Sequence, residues 1–308
     1  MKTSSRYWIG AFLVFLAAFC FACKGILIKL AYQYQIDSIS LLTLRMLFAL
    51  PFYIVILVNL NRKQSPAKLT SRQWAALAIF GITGYYFASF FNFLGLIYIT
   101  ASLERILLFV YPTFVLLMNA MGFGLRVTKL QIVALILTYA GILLAFWGNI
   151  ETSAQNNVVL GAFWVILSGL VYAVYLVGSD RMIPLIGSLR YTCYAMIAAT
   201  VPTVLHCAVQ NGLHLGGYPM PVYALGLGMG IFVTVIPTFM IAEGIKRVGS
   251  GNASIIGSIG PIFTIFLSTT ILHETISIEQ IIGTLLVLAG VFMIGWKGNK
   301  QVTPSVTN

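Results

Sequence analysis

Ten apolar runs, each about as long as a helix that crosses a bilayer, take up nearly all of this chain, with turn-forming or charged residues between them. A crossing helix needs about 20 mostly apolar residues at about 1.5 Å rise each. The first five runs are Tyr7–Leu30, Ser38–Val58, Trp74–Ile97, Ser102–Phe123 and Leu130–Trp147. The second five are Val158–Gly178, Leu189–Val209, Pro221–Ile245, Asn252–Leu272 and Ser277–Trp296. The stretches between them are too short for a separate soluble domain. Of 308 residues, 59% are hydrophobic and 8% charged, whereas a soluble domain carries about a quarter charged. A water-facing surface cannot be made from this composition, so the chain reads as an all-α integral membrane protein.

The net charge of +11 is not a nucleic-acid footprint, because the basic residues sit in short loops where they set orientation. With the N-terminus inside, the cytoplasmic segments hold Lys2, Arg6, Arg62, Lys63, Lys68, Arg72, Arg126, Lys129, Arg181, Arg190, Lys246, Arg247, Lys297 and Lys300, which is 14 of the 18 Lys and Arg. The outer loops carry Asp37, Glu151, Glu274 and Glu279 instead. Both termini are therefore expected in the cytoplasm of a multi-pass cell-membrane protein. The first run follows Lys2 and Arg6 as a signal peptide would, but it continues to about Leu30 without a small-residue cleavage site, so it is read as a retained span. Cys20 and Cys23 lie three apart on that span and are read as packing residues rather than a redox pair.

The two groups of five repeat one another. At an offset of 149, Gly81 meets Gly230, Gly95 meets Gly244, Pro112 meets Pro261, Gln131 meets Gln280, Gly141 meets Gly290 and Trp147 meets Trp296. Near the start of each half the offset is 151, where Gly10-Ala11-Phe12 meets Gly161-Ala162-Phe163 and Pro51 meets Pro202. Five is odd, so the second copy must enter the bilayer upside down. The fold expected is ten transmembrane helices as two inverted five-helix repeats, residues 1–150 and 151–300, followed by a disordered tail at 301–308. Inverted repeats are typical of transporters, with the substrate near the midplane between the halves.

The stretch from Pro261 through His273-Glu274-Thr275-Ile276, Gln280, Gly283 and Gly290 resembles the second-repeat ending of the drug/metabolite transporter superfamily, EamA type. Thr100-Ala101-Ser102-Leu103-Glu104-Arg105 leading to Pro112, and Arg45 in the second span, resemble it too. The likeness covers nearly the whole chain as two EamA units, with one departure: Leu125 stands where the second repeat has Glu274. The resemblance implies a ten-helix permease for amino acids or other metabolites.

The repeat also picks out inward faces. In the third span Tyr85, Ser89 and Asn92 share one helical face, and their partners in the eighth are Thr234, Thr238 and Ile241. In the sixth span Ser168, Tyr172, Tyr175 and Ser179 form a longer polar face, and Lys24 is the counterpart of Tyr175. Ser250, Ser254 and Ser258 of the ninth span match Ala101, Arg105 and Phe109 of the fourth. Polar stripes on apolar spans suit a water-accessible cavity, although Ser and Thr also bridge helices. Four ionisable residues, Lys24, Arg45, Glu104 and Arg105, fall in the outer halves of their spans with no ionisable repeat partner. Lys24 and Arg105 are expected to attract a carboxylate, Glu104 to clamp Arg45 as a structural ion pair, and Tyr85, Tyr111, Tyr172 and Tyr175 to offer hydroxyls and π faces. Thr234, Thr238, Ser254 and Ser258 complete the expected lining. Glu243 is read as a local pair with Lys246 or Arg247.

Histidines 206, 214 and 273 are scattered, no HExxH or Walker motif occurs, and Gly226-Leu227-Gly228-Met229-Gly230 lies inside a span rather than after a strand. The sequence is thus not read as an enzyme, and no cofactor or metal is expected. The implied partners are a small-molecule substrate and the lipid bilayer, with no nucleic acid, and a homodimer is allowed. The function expected is a secondary transporter of a small polar metabolite, an amino acid or related carboxylate, moving by alternating access with export favoured over import. The competing reading, multidrug efflux, wants a lone carboxylate in the first span, where this chain has Lys24.

Overall fold

A computed structural model describes residues 2–63, 69–123, 128–152, 157–248, 253, 256–257 and 259–298. Ten helical segments follow one another, with no strand among the described residues. The first two are Lys2–Tyr32 and Ser38–Lys63. The third runs Ser71–Gly81, Ile82–Phe87 and Ala88–Tyr98. The fourth is broken into Ala101–Leu108 and Tyr111–Phe123, and the fifth is Lys129–Thr152. The sixth and seventh are Val158–Ile186 and Ser188–Asn211. The eighth runs Met220–Gly228, Met229–Val235 and Ile236–Val248, the ninth contains Gly260–Ile271, and the tenth is Ile278–Gly298. Among the described residues eight helices are long and apolar enough to cross a membrane, and two shorter apolar ones, Gly260–Ile271 and Ile278–Met293, accompany them.

Local chemistry explains several boundaries. Thr128 and Gln131 form reciprocal side chain–backbone bonds at the start of the fifth segment, and Ser277 and Gln280 repeat them at the start of the tenth. The matching glutamines are therefore N3 partners in equivalent capping boxes. Pro112 and Pro261 both stand at the beginning of a helical piece, just past a break at Phe109–Val110 in one half and at Ile259 in the other. A proline inside a helix tends to kink it, and here each marks an interruption instead. The third and eighth segments carry π-helical turns at equivalent places, Ile82–Phe87 and Met229–Val235. In the eighth, Pro237 has no N–H to give, and Thr234 Oγ1 donates to the Met229 carbonyl at 2.9 Å.

The packing is symmetric as well as the sequence. The first segment packs on the eighth as the sixth packs on the third, and the first packs on the ninth as the sixth packs on the fourth. The second meets the seventh and the fifth meets the tenth, each pair mapping onto itself. Val14 and the Gly10 carbonyl lie against Gly244, just as Val165 and the Gly161 carbonyl lie against Gly95. Small residues allow this close approach, which matters where lipid supplies no hydrophobic drive between helices. The self-mapping pairs are antiparallel: Ala134 faces Gly290 while Gly148 faces Ser277, and Asn211 reaches Ser40 while Arg190 reaches the Leu60 carbonyl. Equivalent helices thus meet head to tail in both pairs.

Candidate functional site

The break in the fourth segment organises the site. Thr100 caps the helix Ala101–Leu108, accepting from Leu103 N, with Glu104 in its first turn and Arg105 in its last. Each side chain therefore sits at the end of the helix dipole that favours its charge. Glu274, from the other half, reinforces the cap: it accepts from Ala101 N at 2.8 Å, Ser102 N at 3.3 Å and Ser102 Oγ at 2.7 Å. Ser102 Oγ also meets Ser268 Oγ at 2.7 Å.

Glu104 is 1% exposed, which a carboxylate tolerates only with partners. Lys24 Nζ lies 3.1 Å from Glu104 Oε1, and Asn92 Nδ2 donates to the same oxygen at 2.6 Å. The expected Arg45–Glu104 clamp is thus replaced by a Lys24–Glu104 pair. The reason is placement. Lys24 faces the fourth segment across the small Gly25–Ala101 contact, whereas Arg45 faces the third. Arg45 Nη2 donates to Ser89 Oγ at 3.2 Å, and its guanidinium lies 5.6 Å from the centre of the Phe93 ring. Arg105 extends across the start of Gly260–Ile271, where a Cβ on Gly260 would overlap its Nη2. Among the described residues the Nε atoms of Arg45 and Arg105 are buried without a hydrogen-bond partner.

A chain of tyrosine rings joins the two halves. Tyr85 and Tyr175 share a hydroxyl–hydroxyl bond of 3.0 Å with ring centres 5.1 Å apart. Tyr172 stacks 5.7 Å from Tyr175, and Tyr111 meets Tyr172 edge-on at 5.4 Å. The structure therefore brings together Lys24, Arg45, Tyr85, Ser89, Asn92, Glu104, Arg105, Tyr111, Tyr172 and Tyr175. Thr234 and Thr238 hydroxyls bond backbone carbonyls of their own helix, and the Tyr53 hydroxyl donates to the Thr234 carbonyl at 3.2 Å and lies 3.2 Å from Thr238 Oγ1. Ser168 bridges to the Ala88 carbonyl at 2.7 Å. Ser250, Ser254 and Ser258 lie outside the described residues. Glu243 pairs with Arg247 at 2.9 Å, the local reading.

Sequence reasoning passed over Tyr53, Tyr191, Phe93 and the capping role of Glu274. Tyr191, fully buried, stacks on Tyr175 at 5.9 Å. Only the mismatch of Glu274 with Leu125 hinted at any of them. Among the described residues no three His, Cys, Asp or Glu side chains gather as metal ligands.

Comparison with known proteins matches the geometry. The family model described as the EamA-like transporter family matches residues 8–147 and 159–296, once per half. The chain is 32% identical to the uncharacterized transporter YcbK of Bacillus subtilis, over 92% of this chain and 91% of that one. It is 24% identical to an uncharacterized transporter of Synechocystis, over 96% and 95%. A solved crystal structure at 18% identity superposes with a TM-score of 0.64, covering 97% of this chain and 99% of that one, and so shares the fold. Two family matches, one on each half, identify the chain as a member of the EamA-like transporter family and a multi-pass membrane transporter.

Proposed function

We propose that this protein is a secondary transporter of the cell membrane. It crosses the bilayer ten times as two inverted repeats with both termini in the cytoplasm, and it exports a small carboxylate-bearing metabolite, such as an amino acid, by alternating access. One observation carries the substrate reading: among the described residues Arg45 and Arg105 each bury an Nε without a hydrogen-bond partner, while the Tyr85–Tyr175 and Tyr111–Tyr172 contacts join the two halves. Buried cations are expensive in a membrane and commonly mark a ligand path. Since Glu104 engages Lys24, the guanidiniums take the leading role in holding the anion and Lys24 a supporting one. Arginine suits it, because its fork matches a carboxylate.

The ten crossings are supported by symmetry, since Gly260–Ile271 and Ile278–Met293 are the counterparts of the fourth and fifth segments. Alternating access is supported by the equivalent breaks before Pro112 and Pro261 and the equivalent π-helical turns, features that recur at transporter sites and functional hinges. Export accords with an inside-negative potential, which drives an anion outward by about 2.3 kcal/mol per charge per 100 mV. The test compares medium and cell metabolites in overexpressing and deletion strains, then follows the responding solutes in proteoliposomes with wild type and Arg105→Met. The reading predicts a carboxylate that accumulates outside on overexpression and whose flux falls at least tenfold in the variant. Unchanged flux of every transported solute would remove the anion site.

A further inference from the structure

The halves touch at both ends of the molecule, and the two ends differ in chemistry. At the end that the transport reading places outside, each half hands one carboxylate to the other. Asp37, just before the second segment, accepts from Asn211 Nδ2 at 2.9 Å and from the Tyr218 hydroxyl at 3.4 Å. Glu274 accepts in return from Ala101 N, Ser102 N and Ser102 Oγ. At the opposite end Arg190 Nη2 donates to the Leu60 carbonyl at 3.0 Å, and Tyr194 meets Asn61 Nδ2 at 3.4 Å and the Trp74 ring at 4.8 Å. The repeat puts the counterparts of Asp37 and Glu274 at that opposite end, and they are Ser188 and Leu125. Neither carboxylate has an equal there.

The backbone beside the two carboxylates is strained. Among the described residues three non-glycine residues have left-handed φ: Gln35 at 58°, Leu213 at 57° and His273 at 54°. All three lie just past helix ends at the carboxylate end of the molecule. Gln35 stands two residues before Asp37, Leu213 two after Asn211, and His273 next to Glu274. Left-handed backbone crowds a side chain, so glycine is the usual residue just past a helix end. The other end follows that rule in its sequence: His273 has Gly124 as its counterpart, and the turn after the sixth segment takes its positive φ at Gly187. The side chains of Gln35, Leu213 and His273 are all exposed, so their own packing does not demand the conformation. The bonds of their neighbours do. We infer that the outer face is shut by a strained clasp, in which Asp37 and Glu274 hold the halves together against turns that relax when the bonds let go. This inference rests on the transport reading above and assigns the opening of that face to named bonds.

The experiment measures the distance between nitroxide labels on Gln33→Cys in the first half and Gly216→Cys in the second, both exposed positions. It uses full-length protein without its native cysteines, in lipid nanodiscs. Asn211→Ala cuts the crossing bond and leaves the Asp37 bonds to Ile39 N and Ser40 N in place. It should raise the ratio of long to short distances about tenfold, as loss of a hydrogen bond to a charged group does. Glu274→Ala should do the same from the other clasp point. Gln35→Gly or His273→Gly, added to Asn211→Ala, should lower the ratio again about fivefold, because glycine relieves the closed turn. Neighbouring residues 273 and 274 therefore act with opposite signs. Glycine variants that raise the ratio or leave it within about twofold overturn the strain, since glycine would then only loosen a loop. Should Asn211→Ala fail to fold, Tyr218→Phe takes its place. Distances that ignore both Asn211→Ala and Glu274→Ala, in a protein that exchanges a carboxylate in proteoliposomes, overturn the clasp and leave the transport reading standing. Distances that respond as expected, in a protein that moves no solute, support the clasp and overturn the transport reading instead.

Discussion

Lys24 Nζ and Glu104 Oε1 are 3.1 Å apart across the first and fourth segments, one in each wall of the same half, and Asn92 donates to the same carboxylate oxygen. Three helices of the first repeat are thereby tied at one atom. The second repeat has Tyr175 and Ala253 at the corresponding positions, so its half of the wall has no such knot. The pair therefore ties the helices of one repeat and not those of the other.

Removing one member of that pair should hurt more than removing both. Glu104→Gln leaves Lys24 uncompensated and Lys24→Met leaves Glu104 uncompensated. Each should cost about 3 kcal/mol, the low end of the range for broken buried pairs, because the Lys24 side chain is 20% exposed. The double variant should recover part of the loss, giving a coupling of about 1–3 kcal/mol in a double-mutant cycle. Unfolding midpoints in detergent measure it, and strict additivity would show that the pair is spread over other partners.

Arg45 is held by one hydrogen bond and one ring face, and the two can be separated. Ser89→Ala removes the 3.2 Å bond, worth about 1.5–3 kcal/mol for a charged donor. Phe93→Leu removes the cation–π contact at 5.6 Å, worth about 0.5–2 kcal/mol. Both should raise the half-saturation concentration more than they lower the maximal exchange rate, since they loosen a group that binds rather than one that moves. A fall in rate with unchanged half-saturation would put Arg45 in the gating motion instead.

Much of this was legible in the sequence. The hydrophobic runs located the helices because a bilayer demands about 20 apolar residues of each. The offsets of 149 and 151 correctly matched contacts such as Gly10 with Gly244 and Gly95 with Gly161, because symmetric packing needs small residues at symmetric places. Pairing among the charges was not legible. Whether Glu104 meets Lys24 or Arg45 depends on which helices are neighbours, and the fourth segment's neighbours are set by its break. The π-helical turn Ile82–Phe87 also escaped notice, and it alters the face on which Tyr85 stands relative to Ser89 and Asn92. The self-bonding of Thr234 and Thr238 was not legible either, since a hydroxyl on an apolar helix can satisfy itself on the preceding turn.

Two glycines touch the site in different ways, and alanine should separate their effects. A Cβ on Gly84 would overlap the Tyr175 ring and its Cβ, atoms fixed by stacking on Tyr172 and Tyr191. Gly84→Ala should therefore cost about 1–3 kcal/mol of stability, as overpacking does. A Cβ on Gly260 would meet only the tip of Arg105, a flexible side chain able to swing away. Gly260→Ala should leave the unfolding midpoint within about 1 °C and impair anion binding several-fold. Equal loss of stability in both variants would mean that Arg105 is as rigidly held as the tyrosine.

Glu274 supplies the last expectation. It comes from the loop before the tenth segment, yet it caps the helix Ala101–Leu108 of the other half, so it must let go if the halves part on that face. A carboxylate cap on a helix start contributes about 0.5–2 kcal/mol, and loss of 1.4 kcal/mol shifts a two-state equilibrium about tenfold. Its repeat counterpart is Leu125, which has no carboxylate, so the contribution is one-sided. Glu274→Ala should raise the open population on the Glu274 face about tenfold, read as the rate of maleimide labelling of a cysteine introduced at Ser102 in a background without the native cysteines. Glu274→Asp, with a shorter reach, should fall between. If labelling is as slow in Glu274→Ala as in the parent, the cap stabilises a helix end and has no part in holding the face closed.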